Sequence, residues 1–173
     1  MHREWIASRV TRLAFGFMLA AGIALGGMSP GNAETPSTCH GKIATIVGTP
    51  GSDKLNGTAG QDVIVGLGGA DVIHARAGID VACGGSGSDR VAGNAGSDVL
   101  FGNGGDDTLK GGGNVDVEKG GTGDDTVEGG VGDDILEGNL GEDDLMGNAG
   151  NDLLDGILEA DICVSKRSCD DAA

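Results

Sequence analysis

From Gly48 to Val164 the chain repeats with a period of nine residues, thirteen times in succession and without an insertion or deletion. Short units that follow one another in phase cannot each bury a core, so they must stack into a quasi-one-dimensional array. The sixth position of every unit is aspartate: Asp53, Asp62, Asp71, Asp80, Asp89, Asp98, Asp107, Asp116, Asp125, Asp134, Asp143, Asp152 and Asp161. The first position is glycine except at Ala75, and the fourth is glycine except at Asn114 and Glu159. The eighth is aliphatic in ten units, with Ala82, Glu118 and Cys163 as the exceptions.

This spacing has a direct physical reading. Glycines at positions one and four permit positive φ and close backbone approach, so the first six residues of a unit predict a turn. The last three, which alternate outward, inward and outward, predict a very short strand. Two units then make one coil of a flattened solenoid, in which consecutive units lie on opposite sheets and units 18 residues apart stack. Position seven tests the inference. In even units it is Val63, Val81, Val99, Val117, Ile135 and Leu153; in odd units it is Lys54, Val72, Arg90, Thr108, Thr126, Asp144 and Ile162. A period of 18 overlies the period of nine, as two chemically different sheets require. The fold class is therefore all-β, with about thirteen nonapeptide units in two stacked sheets.

Stacking also gathers charge. The aspartates fall into two columns with steps of about 4.8 Å, and like charges about 4 Å apart repel by about 1 kcal/mol in water and about 4 kcal/mol at an effective dielectric of 20. The chain has no tyrosine, three Phe and one Trp, so one inward aliphatic per unit is most of the core available to oppose that repulsion. A bound cation would reverse the balance. Carboxylates beside turn carbonyls form an all-oxygen, deformable site that suits Ca²⁺ better than Mg²⁺, which demands tight octahedral geometry. Zinc would want Cys or His nearby. The formal charge of −16 makes the surface a poor one for nucleic acid or anionic lipid.

The units "GGTGDDTVE", "GGVGDDILE" and "GNAGNDLLD" resemble the nonapeptide of the repeats-in-toxin (RTX, hemolysin-type) family, and the resemblance covers residues 48–164. It implies a parallel β-roll, a β-solenoid in which several Ca²⁺ ions sit between turns 18 residues apart, held by position-six aspartates and nearby carbonyls. Carried onto this chain, the metal-binding residues are Asp53, Asp62, Asp71, Asp80, Asp89, Asp98, Asp107, Asp116, Asp125, Asp134, Asp143 and Asp152. On one edge Asp89, Asp107, Asp125 and Asp143 would share ions in succession, and Asp98, Asp116, Asp134 and Asp152 would do so on the other. Three units depart from the pattern. The fourth, "ARAGIDVAC", lacks its first glycine; the eighth, "GGGNVDVEK", requires Glu118 to bend outward or find a partner; and the thirteenth carries Glu159, which marks Asp161 as part of a cap rather than a regular site.

The ends read differently. Residues 1–33 combine a basic start at His2, Arg3, Arg9 and Arg12, the apolar run "LAFGFMLAAGIALGGM" and the small residues "GNA", the pattern of a secretory signal peptide. The run is short for a membrane anchor. Its removal with Arg3, Glu4, Arg9 and Arg12 leaves 8 basic and 26 acidic residues, a formal charge of −18. A leader with a capping strand follows at 34–47, where Ile46 falls in phase with position eight, and a C-terminal cap or tail occupies 165–173. Cys39, Cys83, Cys163 and Cys169 fit an oxidising, extracellular compartment and allow three pairings. The nearness of Cys163 and Cys169 across "VSKRS" suggests a C-terminal staple that leaves Cys39 for Cys83.

No enzyme is expected. His2, His40 and His74 have no evident triad partners, and the glycine-rich turns lack the helix that Rossmann and P-loop phosphate sites need. The sequence predicts a secreted protein that binds multiple Ca²⁺ ions and folds on binding. An alternative is an adhesion protein that uses the even sheet, whose outer face gathers Val63, Val65, Val81, Cys83, Val99 and Phe101 and continues through Val117, Ile135 and Leu153. Such a face meets a protein or cell-surface partner, a covering segment or a second copy; the leader, through Cys39 and Cys83, is one candidate for its N-terminal end.

Overall fold

The computed structural model describes residues 36–156 and 161–164; the expected signal peptide, Glu159, Cys169 and the tail at 165–173 lie outside the described residues. No helix occurs among those described. The body is a two-sheet parallel solenoid. One sheet, built from the even units, runs β3 (Ile46–Val47), β5 (Val63–Gly68), β7 (Val81–Ser86), β9 (Val99–Gly104), β11 (Val117–Thr122), β13 (Ile135–Leu140) and β15 (Leu153–Asp155). The other, from the odd units, runs β4 (Lys54–Asn56), β6 (Val72–Ala77), β8 (Arg90–Ala95), β10 (Thr108–Gly113), β12 (Thr126–Val131), β14 (Asp144–Ala149) and β16 (Ile162–Val164). Every parallel pair is offset by 18 residues, as in Leu109↔Val127 and Leu100↔Glu118.

The strands differ from the expected three residues. Most span six, positions seven to nine of one unit and one to three of the next, which leaves positions four to six as the turn. The cause lies in position two. From the third to the twelfth unit its residues take positive φ, as at Asn103 (77°), Gly121 (128°) and Asn139 (80°), whereas the glycines at position one do not. The left-handed residue re-aims the chain so that the strand continues beyond position one instead of ending there, and Gly or Asn adopts it at least expense. Leu67 (81°) and Arg76 (83°) hold the same conformation with less suitable side chains. Position one is glycine for a different reason, which is space.

Between the sheets lies a single file of inward side chains. Ile64, Ile73, Val91, Leu100, Leu109, Val127, Leu136, Leu145 and Leu154 are all buried, with Ala75 and Ala82 filling the thinner fourth unit. Full burial of each aliphatic contributes about 1.5–3 kcal/mol. In-register stacking on both sides of each strand makes the core continuous along the axis.

The segment ahead of the repeats forms a hairpin as well as a capping strand. β1 (Thr38–Cys39) pairs antiparallel with β2 (Lys42–Ile43) around His40 and Gly41, both at positive φ, the conformation a two-residue hairpin turn needs. Ile46 then pairs with Ile64, in the phase expected for it. The hairpin lies on the outer face of the even sheet. Cys39 is disulfide-bonded to Cys83, and the His40 ring stacks on Phe101 with centroids 3.6 Å apart. Val65, Val81, Cys83 and Phe101 are thereby buried in a second, smaller cluster with Cys39. Beyond the hairpin the face thins, and Leu153 is 55 % exposed. Cys163 is also disulfide-bonded.

Candidate metal centre

The turn aspartates form two ladders along the edges of the solenoid. In each, the backbone N–H of one aspartate donates to Oδ1 of the aspartate 18 residues later. On the odd edge the bonds run Asp53 to Asp71, Asp71 to Asp89, Asp89 to Asp107, Asp107 to Asp125, Asp125 to Asp143 and Asp143 to Asp161, at 2.7–3.0 Å. The even edge repeats the pattern from Asp62 through Asp80, Asp98, Asp116 and Asp134 to Asp152, at 2.7–3.1 Å. One carboxylate oxygen thus satisfies a turn amide that would otherwise be buried and unpaired.

The second oxygen is left over. Asp71, Asp80, Asp89, Asp98, Asp107, Asp116, Asp125, Asp134 and Asp143 each bury an Oδ2 atom that has no hydrogen-bond partner. Buried carboxylate oxygens without a donor are rare because desolvation costs several kcal/mol per charge. Each ladder repeats that arrangement rung after rung.

What faces these oxygens is main chain. The point where a Cβ would stand on Gly102 lies 2.2 Å from Asp107 Oδ2 and 2.6 Å from the Gly120 carbonyl oxygen; on Gly93 the distances are 2.4 Å to Asp98 Oδ2 and 2.8 Å to the Gly111 carbonyl. Position one is therefore glycine because a side chain would run into this cradle, lined by the turn's own aspartate and, at several units, by a carbonyl from the next coil. The fourth unit carries Ala75 at this position, fully buried with the core cluster. No group of three Asp, Glu, His or Cys side chains with metal-site geometry occurs among the described residues. The donor set is instead carboxylate plus carbonyl, the hard-oxygen chemistry that Ca²⁺ takes.

The electrostatics agree. Burial pushes the Asp107, Asp116 and Asp125 carboxyls up to about 7, the amide donated from the preceding turn only partly offsetting it and neighbouring aspartates adding to it. Burial likewise raises Asp80, Asp89, Asp98, Asp134 and Asp143. Without a cation these groups resist ionisation.

Three of the expected residues, Asp53, Asp62 and Asp152, are not among the nine with a buried, partnerless Oδ2. Asp53 Oδ2 accepts from the Thr49 amide and hydroxyl at 2.6 and 2.8 Å, and Asp62 Oδ2 accepts from Thr58 at 2.7 and 2.9 Å. A threonine at position two thus satisfies the oxygen that is free further along, a signal present in "GTPGSD" and "GTAGQD". Asp161 is half-buried. Glu118 does not bend outward: it is fully buried in the core, both oxygens lack a bond of good geometry, and burial followed by repulsion from Asp116 and Asp134, partly offset by the Gly111 amide, pushes it up to about 9.

A family model described as RTX calcium-binding nonapeptide repeat (4 copies) matches residues 47–82, 84–118 and 119–154. Among curated proteins no match is found. The matched segments cover more than half of the chain and coincide with the two ladders of aspartate, so the chain belongs to the RTX calcium-binding nonapeptide repeat family.

Proposed function

We propose that the protein is a secreted calcium-binding protein whose β-roll takes up several Ca²⁺ ions along both edges and folds as it does so. The observation that carries this reading is the row of nine buried, partnerless aspartate Oδ2 atoms, several set near a main-chain carbonyl where only glycine fits. Asp71, Asp80, Asp89, Asp98, Asp107, Asp116, Asp125, Asp134 and Asp143 would supply the carboxylate ligands, with position-one carbonyls completing the site. Asp53, Asp62 and Asp152 belong to the same ladders at their ends, where Thr49 and Thr58 compete for the first two.

Folding and binding are one event in this reading. The ion-free roll concentrates partnerless carboxylates beside a narrow core, whereas the unfolded chain hydrates them. The Cys39–Cys83 disulfide supports an oxidising compartment and thus secretion. The adhesion alternative has less to recommend it, because the densest apolar stretch of the even face is occupied by the chain's own hairpin.

Circular dichroism of the full chain during a Ca²⁺ titration tests the proposal. Millimolar Ca²⁺ is expected to produce β structure that excess chelator abolishes, with Mg²⁺ a poor substitute. Equal β signal in chelator and in Ca²⁺ would reject it.

A further inference from the structure

Glu118 occupies the inward position of β11, paired in register with Leu100 on one side and Leu136 on the other. It is 0 % exposed, and neither carboxyl oxygen has a hydrogen bond of good geometry. A carboxylate placed among leucines without a partner is among the most destabilising arrangements a core can contain.

Its orientation supplies a reason. The Cβ point of Gly111 lies 2.1 Å from Glu118 Oε1, 2.6 Å from Asp116 Oδ2 and 2.7 Å from the Gly129 carbonyl oxygen. At Gly93 and Gly102 the corresponding point meets one carboxylate oxygen and one carbonyl. Two carboxylate oxygens and a carbonyl oxygen thus converge against the backbone of Gly111. None of the three oxygens is a donor when both carboxyls are ionised, and the Gly111 amide only partly offsets their repulsion.

We propose that Glu118 is a cation ligand, and that with Asp116 and the Gly129 carbonyl it makes the tightest calcium site of the roll. Affinity in oxygen-ligand sites rises with the number of charged ligands, and this rung has one more than its neighbours. The inference rests on the calcium reading above and adds a residue that lies outside the repeat's ligand pattern.

The test uses the full chain with Ca²⁺ itself as the probe, measuring stoichiometry and the tightest affinity by equilibrium dialysis and calorimetry. Glu118→Gln is expected to weaken the tightest class roughly tenfold or more. Glu118→Leu restores the side chain found at Leu100, Leu109 and Leu136, so it keeps the fold and is expected to bind one ion fewer. A wild-type chain that binds Ca²⁺ with the same stoichiometry and tightest affinity as Glu118→Leu overturns the inference and leaves the calcium reading intact. Failure of the wild type to bind Ca²⁺ at all would overturn both.

Discussion

Asp125 stands in the middle of the odd ladder, and its replacement separates the two jobs of a turn aspartate. Its Oδ1 accepts the Asp107 amide at 2.8 Å, its own amide donates to Asp143 Oδ1 at 2.9 Å, and its Oδ2 is partnerless. Asp125→Ala leaves the Asp107 amide buried and unpaired, which costs about 1–3 kcal/mol. It also removes a ligand from the ions on either side. At free Ca²⁺ about tenfold above its dissociation constant, each ion contributes about 1.4 kcal/mol, so the two together contribute about 3 kcal/mol. The total, about 4–6 kcal/mol, rivals the whole stability of a small domain. Asp125→Asn keeps an acceptor for the amide while giving up the charge, so it is expected to lose about 3 kcal/mol, nearly all of it calcium-dependent. Asp161→Ala deletes a half-buried acceptor for the Asp143 amide at the end of the ladder and is expected to cost about 1–3 kcal/mol. Calcium titrations followed by circular dichroism should therefore rank the folding midpoints as wild type, Asp161→Ala, Asp125→Asn and Asp125→Ala, in order of rising Ca²⁺ demand. A wild-type midpoint for Asp125→Asn would show that Oδ2 is not a ligand and refute the reasoning.

The calcium-free chain should respond to acid. Asp107, Asp116 and Asp125 rise to about 7 in the fold from about 3.9 when unfolded, so the stability they lend as protonated groups is present below about pH 4 and is lost as pH rises through 7. More β structure at pH 5 than at pH 8 in chelator is expected, and no difference would remove the electrostatic account. Gly120→Ala places a methyl 2.3 Å from Asp125 Oδ2 at a residue whose φ alanine tolerates, so calcium affinity should fall with little direct backbone strain; calorimetry that finds unchanged affinity would show that the cradle is not used. Cys83→Ser releases the tie to the hairpin, and binding of a hydrophobic dye to the exposed Val65, Val81 and Phe101 should increase while the Ca²⁺ midpoint moves little. Unchanged dye binding would mean that packing, including the His40–Phe101 stack, retains the hairpin unaided.

The period of nine and its modulation by 18 made the two sheets, their register and the alternate stacking legible, because inward and outward positions in a strand are fixed by parity alone. Position seven carried this most clearly, with Val99 on one sheet and Arg90 on the other. The division between turn and strand was less legible. Glycine tells of a need for either positive φ or space, and its presence does not say which. Asn103, Asn139 and Asn148 at position two were the overlooked signal, since asparagine accepts the left-handed region and occurs there repeatedly. The Thr49 and Thr58 hydroxyls were likewise present in the sequence, but whether a threonine turns inward to an aspartate depends on the turn's own geometry. Glu118 was recognised as an anomaly; its burial could not be deduced, because an outward bend satisfies the same residue more cheaply.

The departures from regularity are not scattered evenly. Ala75, Ala82, Asn114 and Glu118 all belong to even units, whereas the odd units keep glycine at position one without exception and lose the rest of the pattern only in the thirteenth unit. The odd ladder is thus a uniform series of rungs from Asp71 to Asp143, each hydrogen-bonded to the next. The even ladder is divided. Its rung at Asp80 belongs to the unit with Ala75 in place of the first glycine, and its rung at Asp116 has an added carboxylate. Nearest-neighbour coupling in a solenoid carries stability along a uniform series and is interrupted where rungs differ. Calcium uptake along the odd edge should therefore be the more cooperative of the two, while the even edge supplies the distinct sites. An average over all ions would conceal that difference; paired substitutions at Asp107 and Asp116 would reveal it as unequal changes in the steepness of the folding transition.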